Sequence, residues 1–219
     1  MGSSRVWDAD TDLIRITDTS VLQNVFDGGG TVSAWVYYTS SISLARIVSK
    51  VAVDAGWIFW MNNLQFSFFY YFSGTNLSYK TANLSLNTWY YLTVTYNSNN
   101  VANVPIMYVN AVVTAATTAT AGTGTYDTDV GQDLVIGNTT GVTGGFRGNI
   151  CYVQLWDKIL TIDEVSESMV KPGSVRTNLV GYWPVLGSDS PERDLSGNGN
   201  TGAVTSADSS DLGPKVTSF

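Results

Sequence analysis

Between Gly144 and Met169 the chain changes hydrophobic period once, and that single change limits the folds open to it. The stretch GGFRGNICYVQLWDKILTIDEVSESM starts at a glycine turn and runs on as a strand, with Ile150, Tyr152 and Gln154 alternating with Cys151, Val153 and Leu155. Beyond Trp156 the spacing becomes helical. Thr161 and Glu164 stand as in a capping box, and Ile162, Val165 and Met169 follow at helical intervals, which predicts about two turns of helix near residues 161–169. The rest reads as strands and turns, so the expected class is all-β with one short helix.

Composition removes whole classes of chemistry. The 219 residues contain no histidine and one cysteine, Cys151, which leaves no zinc set and no His-based triad. Cys151 lies on an apolar strand, where it reads as a small hydrophobe. Net charge is −7, and the 11 basic residues are scattered from Arg5 to Lys215, so no basic patch offers itself to nucleic acid. No run approaches the length of a membrane-spanning helix, and membrane insertion is not expected. The beginning, MGSSRVWDAD, lacks the apolar segment of a signal peptide. Either a mature form or a part built into a particle fits that observation, and both ends, from Met1 to Phe219, are expected to be tied down.

The stretch from Phe146 to Val165 resembles the end of laminin-G-like domains of the concanavalin A-like lectin/glucanase superfamily, in its pentraxin-like branch. There a strand of the form F-x-G-x-I-x-x-V-x-L-W precedes L-T-x-x-E-V, and Phe146, Gly148, Ile150, Val153, Leu155, Trp156, Leu160, Thr161, Glu164 and Val165 match. Further matches are Thr31–Val36 (TVSAWV), Trp89–Tyr96 (WYYLTVTY) and the hairpin Tyr108–Asn110. The resemblance implies an antiparallel β-sandwich (jelly roll) occupying residues 1–219 as a single domain. The tail 179–204, with GYWP and SGNGNTG, resembles a motif that opens the domain in relatives, as though permuted or borrowed from a second repeat.

Along the chain, Leu13 and Arg15 face one way and Ile14 and Ile16 the other, while Val32, Ala34 and Val36 oppose Trp35 and Tyr37. Asn62-Asn63 is read as the turn of a hairpin whose second strand puts Leu64, Phe66, Phe68, Tyr70 and Phe72 on the core face. The opposite face is unusually aromatic. Trp57, Trp60, Phe69 and Tyr71 are candidates for a platform that stacks on sugar rings or meets a subunit, with packing in the core as the bland alternative. Ala111 stands where the Asn110 hairpin wants glycine, so that turn is expected to be longer or differently built. Residues 111–126, rich in Ala, Thr and Gly, read as a mobile loop or as a strand that orders only against a neighbour. The sequons at Asn76, Asn83 and Asn138 read as chance matches.

Calcium is the one metal the composition permits, through oxygen ligands. Two groups are candidates: Asp8, Asp10 and Asp12 near the start, and Asp194, Asn198 and Asn200 in the tail loop. Turn chemistry explains both without a metal, and the first fails as an EF-hand because Leu13 occupies the glycine position. A glycosidase needs paired carboxylates flanking its substrate. Only three glutamates exist, Glu164, Glu167 and Glu192, and none sits in the family's E-x-D-x-x-E type of strand. The expectation is therefore a non-enzymatic module, outside the cell or on a virion surface, such as a decoration or fibre protein in a larger homo-oligomeric assembly that also contacts cell-surface glycans. A secreted calcium-assisted lectin is the alternative.

Overall fold

The computed structural model describes residues 3–187 and 189–216; the ends Met1 and Phe219 lie outside the described residues. In chain order the strands are β1 (Ser4–Trp7), β2 (Leu13–Ile16), β3 (Gly30–Tyr38), β4 (Ala45–Ala52), β5 (Ala55–Asn62), β6 (Gln65–Tyr70), β7 (Leu77–Asn83) and β8 (Trp89–Tyr96). Then come β9 (Ile106–Val109), β10 (Val112–Val113), β11 (Thr118–Thr120), β12 (Leu134–Ile136), β13 (Gly148–Trp156), the helix α1 (Ile162–Val170), β14 (Leu179–Trp183), β15 (Gly202–Thr205) and β16 (Asp208–Ser210).

They form two antiparallel sheets packed as a sandwich. The first runs β10-β9-β8-β3-β13-β1-β16, with β14 paired to the second half of β13, and the second runs β11-β7-β6-β5-β4-β12-β2-β15. The main core lies between them, with Ile14, Ile16, Val32, Ala34, Val36, Phe59, Phe66, Phe68 and Leu92 fully enclosed. The alternation of β2, β3 and β6 is therefore the one the sequence predicts. The tail contributes to both sheets, through β14 in the first and β15 in the second. Arg5 and Glu192 anchor it as a buried ion pair at 3.2 Å.

The capping box forms as expected: the Glu164 N–H donates to Thr161 Oγ1 at 3.3 Å, and the Thr161 N–H donates to Glu164 Oε2 at 3.0 Å. Lys158 Nζ donates to Glu164 Oε1, and this bond and the cap hold the carboxyl below its ordinary range. The helix lies on the outer face of the first sheet, where Val165 and Met169 join Tyr91, Tyr108, Trp156, Leu179 and Tyr182 in a second apolar cluster. Ile162, expected to share that stripe, is instead 45% exposed at the helix start.

Three local expectations need correction. In β13 the strict alternation breaks at Tyr152, which has φ 52° beside a register shift, so Ile150 and Val153 both reach the core despite lying three apart. The β5–β6 turn is Asn63-Leu64 rather than Asn62-Asn63, because Asn62 still pairs with Gln65. Asn110-Ala111 is the tight two-residue turn after all, with φ 52° and 61° and Val109 paired to Val112; Asn110 Oδ1 accepts the Tyr91 N–H at 2.9 Å and holds it. The low-complexity tract leaves the first sheet at β10 and adds β11 to the edge of the second, opposite Ser78–Lys80.

Candidate functional site

Two pairing registers create a site on the outer face of the second sheet. Arg46 of β4 pairs with Trp60 of β5, Trp60 with Ser67 of β6, and Ser67 with Lys80 of β7. One row thus carries a guanidinium, an indole and an ammonium across about 14 Å, three strand spacings. In the neighbouring row Ile58 pairs with Phe69 and Phe69 with Ser78. A bulge makes this possible. Ile47 and Val48 both turn to the core, which sends Arg46 outward while Lys50 goes inward.

Arg46, Ile58, Trp60, Phe69, Ser78 and Lys80 line a groove of about 290 Å³, with Leu44 and Tyr71 completing its wall. A second opening, about 470 Å³, shares Arg46, Ile58 and Tyr71 and extends to Gln132, Thr139, Thr140 and Thr143. Arg46, Ile58 and Tyr71 thus border both. Its guanidinium carbon lies 4.7 Å above the Trp60 ring centre, a cation–π contact, and Nη1 donates to the Leu44 carbonyl at 2.8 Å. The Arg46 Nε and Trp60 Nε1 donors are buried without partners. Burial pulls the Arg46 pKa down to about 10. Gly144 lets the side chain lie flat, since a Cβ there would meet the Leu44 carbonyl at 2.6 Å and Arg46 Cγ at 3.0 Å.

Of the four aromatic candidates, Trp60, Phe69 and Tyr71 share this outer face and Trp57 does not. Trp57 lies three residues from Trp60, so the two point to opposite sides of β5. It is fully buried against Phe26, with ring centres 5.1 Å apart, and its Nε1 donates to Asp129 Oδ2 at 3.1 Å. Asp129 also faces Lys50, whose Nζ lies 2.8 Å from Asp18 and 3.1 Å from Asp129. Burial raises the Asp129 carboxyl, while hydrogen bonds to Lys50, Gln23 and Gly131 outweigh desolvation at Asp18 and lower it. Trp60 itself is only 7% exposed beneath Arg46, so the half-exposed Phe69 and Tyr71, with rings 4.9 Å apart, offer the accessible aromatic surface.

The calcium candidates lie in two separate loops. Among the described residues no three acidic, histidine or cysteine side chains converge. Asp8 is exposed, and Asp10 pairs with Arg147. Asp12 is buried, and its Oδ2 accepts the N–H groups of Asp8 and Ala9, each at 2.9 Å. Asp194 accepts the N–H groups of Tyr182, Ser196 and Asn200, Asn198 donates to the Leu179 and Val180 carbonyls, and Asn200 accepts from Thr19. Both loops are Asp-organised turns. Among the described residues no carboxylate lines either groove opening. Buried Glu192 commits one oxygen to the Val185 N–H and the other to Arg5. Arg46, Ile58, Ser78 and Lys80 escaped the sequence reading; only the cross-strand register brings them together.

Comparison with known proteins bears on the fold that carries this face. The laminin-G family model of the concanavalin A-like lectin/glucanases superfamily matches residues 8–166. No curated protein matches the sequence. A crystal structure of a Bacteroides ovatus protein, proposed to bind carbohydrate, superposes with a TM-score of 0.71 at 15% identity, covering 99% of this chain and 62% of that one. The chain thus spans under two thirds of that relative. The native heptameric SAP-like pentraxin of Limulus polyphemus gives 0.59 at 14% identity, over 89% of this chain and 91% of its own. The binding domain of botulinum neurotoxin DC, solved in complex with SialylT, gives 0.56 at 12% identity, over 76% and 41%. At these identities the likeness is one of fold.

Proposed function

The chain belongs to the concanavalin A-like lectin/glucanases superfamily, and on that premise we propose that it is a non-enzymatic glycan-binding module whose ligand face is the outer face of the second sheet. The groove of Arg46, Trp60, Phe69, Tyr71 and Lys80 carries the reading. Half-exposed rings suit the apolar faces of sugars, and the polar ends of Ser78 and Lys80 on the same wall suit hydroxyls. The carbohydrate binding proposed for the Bacteroides protein supports the ligand class. No pair of carboxylates lines the groove to protonate and attack a glycosidic bond, so binding without hydrolysis is the expected outcome.

The test is a glycan array with the intact protein and with Phe69→Ala and Tyr71→Ala. Wild-type binding that both variants lose, with sugars recovered uncleaved, supports the proposal; binding unchanged in both refutes it.

The module's setting is a display surface, extracellular or on a particle, where copies associate. That half rests on the free edge of the first sheet, where Ile106, Val112 and Val113 are 41%, 65% and 59% exposed on the β9–β10 hairpin. An exposed apolar edge is a ready contact between copies. Light scattering should find an oligomer that Val112→Lys with Val113→Lys dissociates, and a wild-type monomer at high concentration would contradict it.

A further inference from the structure

Building on the reading of the groove as a glycan site, we infer that its ligand is an acidic sugar whose carboxylate is held between Arg46 and Lys80. In a chain with 18 acidic residues and net charge −7, the groove inverts the general charge. Arg46 and Lys80 line it, no Asp or Glu does, and neither cation takes part in an ion pair among the described residues.

Arg46 is the sharper observation, because it is 8% exposed yet unpaired. Buried charges in folded proteins are ordinarily matched by an opposite charge, since desolvation is otherwise uncompensated. The other deeply buried cations obey that rule: Arg5 meets Glu192, and Lys50 meets Asp18 and Asp129. Arg46 has only the Leu44 carbonyl and the Trp60 ring, and its Nε is a buried donor without an acceptor. Beside it on the same wall stands the Tyr71 phenol rather than a carboxylate.

A guanidinium seated over an indole, bonded to the Leu44 carbonyl and largely buried loses little freedom when it binds a planar anion. Carboxylate fits that fork and adds charge-assisted hydrogen bonds. Lys80, at the other end of the same cross-strand row, supplies a second, more mobile charge at the rim. Phe69 and Tyr71 beside the row take the apolar face of the ring bearing the carboxylate. A neutral sugar would use the aromatic surface and leave Arg46 uncompensated.

The experiment is calorimetric titration of the intact protein with size-matched oligosaccharides: neutral, hexuronate-containing, sialic-acid-containing and sulfated without carboxylate, each at low and high salt. Carboxylated sugars should bind roughly tenfold or more tightly than neutral ones, with the advantage shrinking in salt. Preference for hexuronate or for sialate identifies which source of carboxylate the groove takes, and either supports the inference. Lys80→Gln should reduce the advantage several-fold, and Arg46→Gln should abolish it. Lys80 is half-buried at the rim, so its variant serves if Arg46→Gln does not fold. Equal affinity for neutral and acidic sugars overturns the inference but leaves the glycan groove standing, as does an acidic advantage that survives Lys80→Gln and Arg46→Gln. Preference for sulfate over carboxylate overturns the assigned anion. Failure of every sugar to bind overturns both.

Discussion

The outer face of the first sheet is largely closed over by its own chain, whereas that of the second is left open with a guanidinium stacked on an indole. On the first, α1 and the segment after it cover Tyr91, Tyr108, Trp156 and Tyr182, and the polar atoms of several of the aromatic side chains find partners there, although Ser33 Oγ, Thr93 Oγ1 and Gln154 Nε2 of the same sheet stay buried without one. Trp156 Nε1 donates to the Val175 carbonyl at 2.9 Å, Trp35 Nε1 to the Met169 carbonyl at 3.2 Å, and the Tyr91 and Ser168 hydroxyls share a bond of 2.7 Å. Trp35, Tyr37, Trp89 and Tyr152 of this aromatic surface remain half-exposed among the described residues. On the second, Arg46 and Trp60 keep buried donors without acceptors. What separates the two faces is cover: a helix lies over the rings of the first, whereas Phe69 and Tyr71 of the second stand half-exposed in an open groove beside Arg46 and Lys80.

The strongest way to break this contrast is by truncation on each face. Trp156→Ala should cost about 3–5 kcal/mol, as for other buried tryptophans, read as a lower urea midpoint. Phe69→Ala, half-exposed on the open face, should cost about 1 kcal/mol or less and instead lose glycan affinity. Equal stability losses would mean that the open face is packing surface too.

A smaller effect sharpens the covered face. Because the Glu164 carboxyl is held below its ordinary range by Lys158 and the helix cap, its contribution is present above the unfolded glutamate pKa and is lost as pH falls through the folded one. Glu164→Gln should therefore cost up to about 1 kcal/mol at neutral pH and nothing at strongly acidic pH, measured by denaturation at both. The smallest effect lies at the β9–β10 turn. Ala111, at φ 61°, adopts a conformation that glycine takes without strain, so Ala111→Gly should raise stability by about 0.5–1 kcal/mol in thermal melts.

How much of this was legible in the sequence depends on what each feature rests upon. The capping box at Thr161 and Glu164 and the core faces of β3 and β6 follow from local spacing, and they stand where the spacing puts them. The bulges at Ile47 and Tyr152 do not, because an extra residue in one strand is defined only by its partner. That is why Arg46 went unseen: in a regular strand it would share a face with Val48 and Lys50. The Asn63-Leu64 turn slipped by one residue for a related reason, since Asn is equally at home on either side of a tight hairpin. Trp57 is different. Its odd separation from Trp60 was visible in the sequence and already excluded a shared platform on one strand.

The most direct test of the account uses the indole N–H resonances of the protein's seven tryptophans during titration with a carboxylated oligosaccharide. The open-face account predicts that the Trp60 signal moves with the ligand, while those of Trp156 and Trp35 beneath the helix stay fixed. Movement of Trp35, Trp89 or Trp156 with Trp60 unchanged would put the ligand on the opposite face of the sandwich and contradict it.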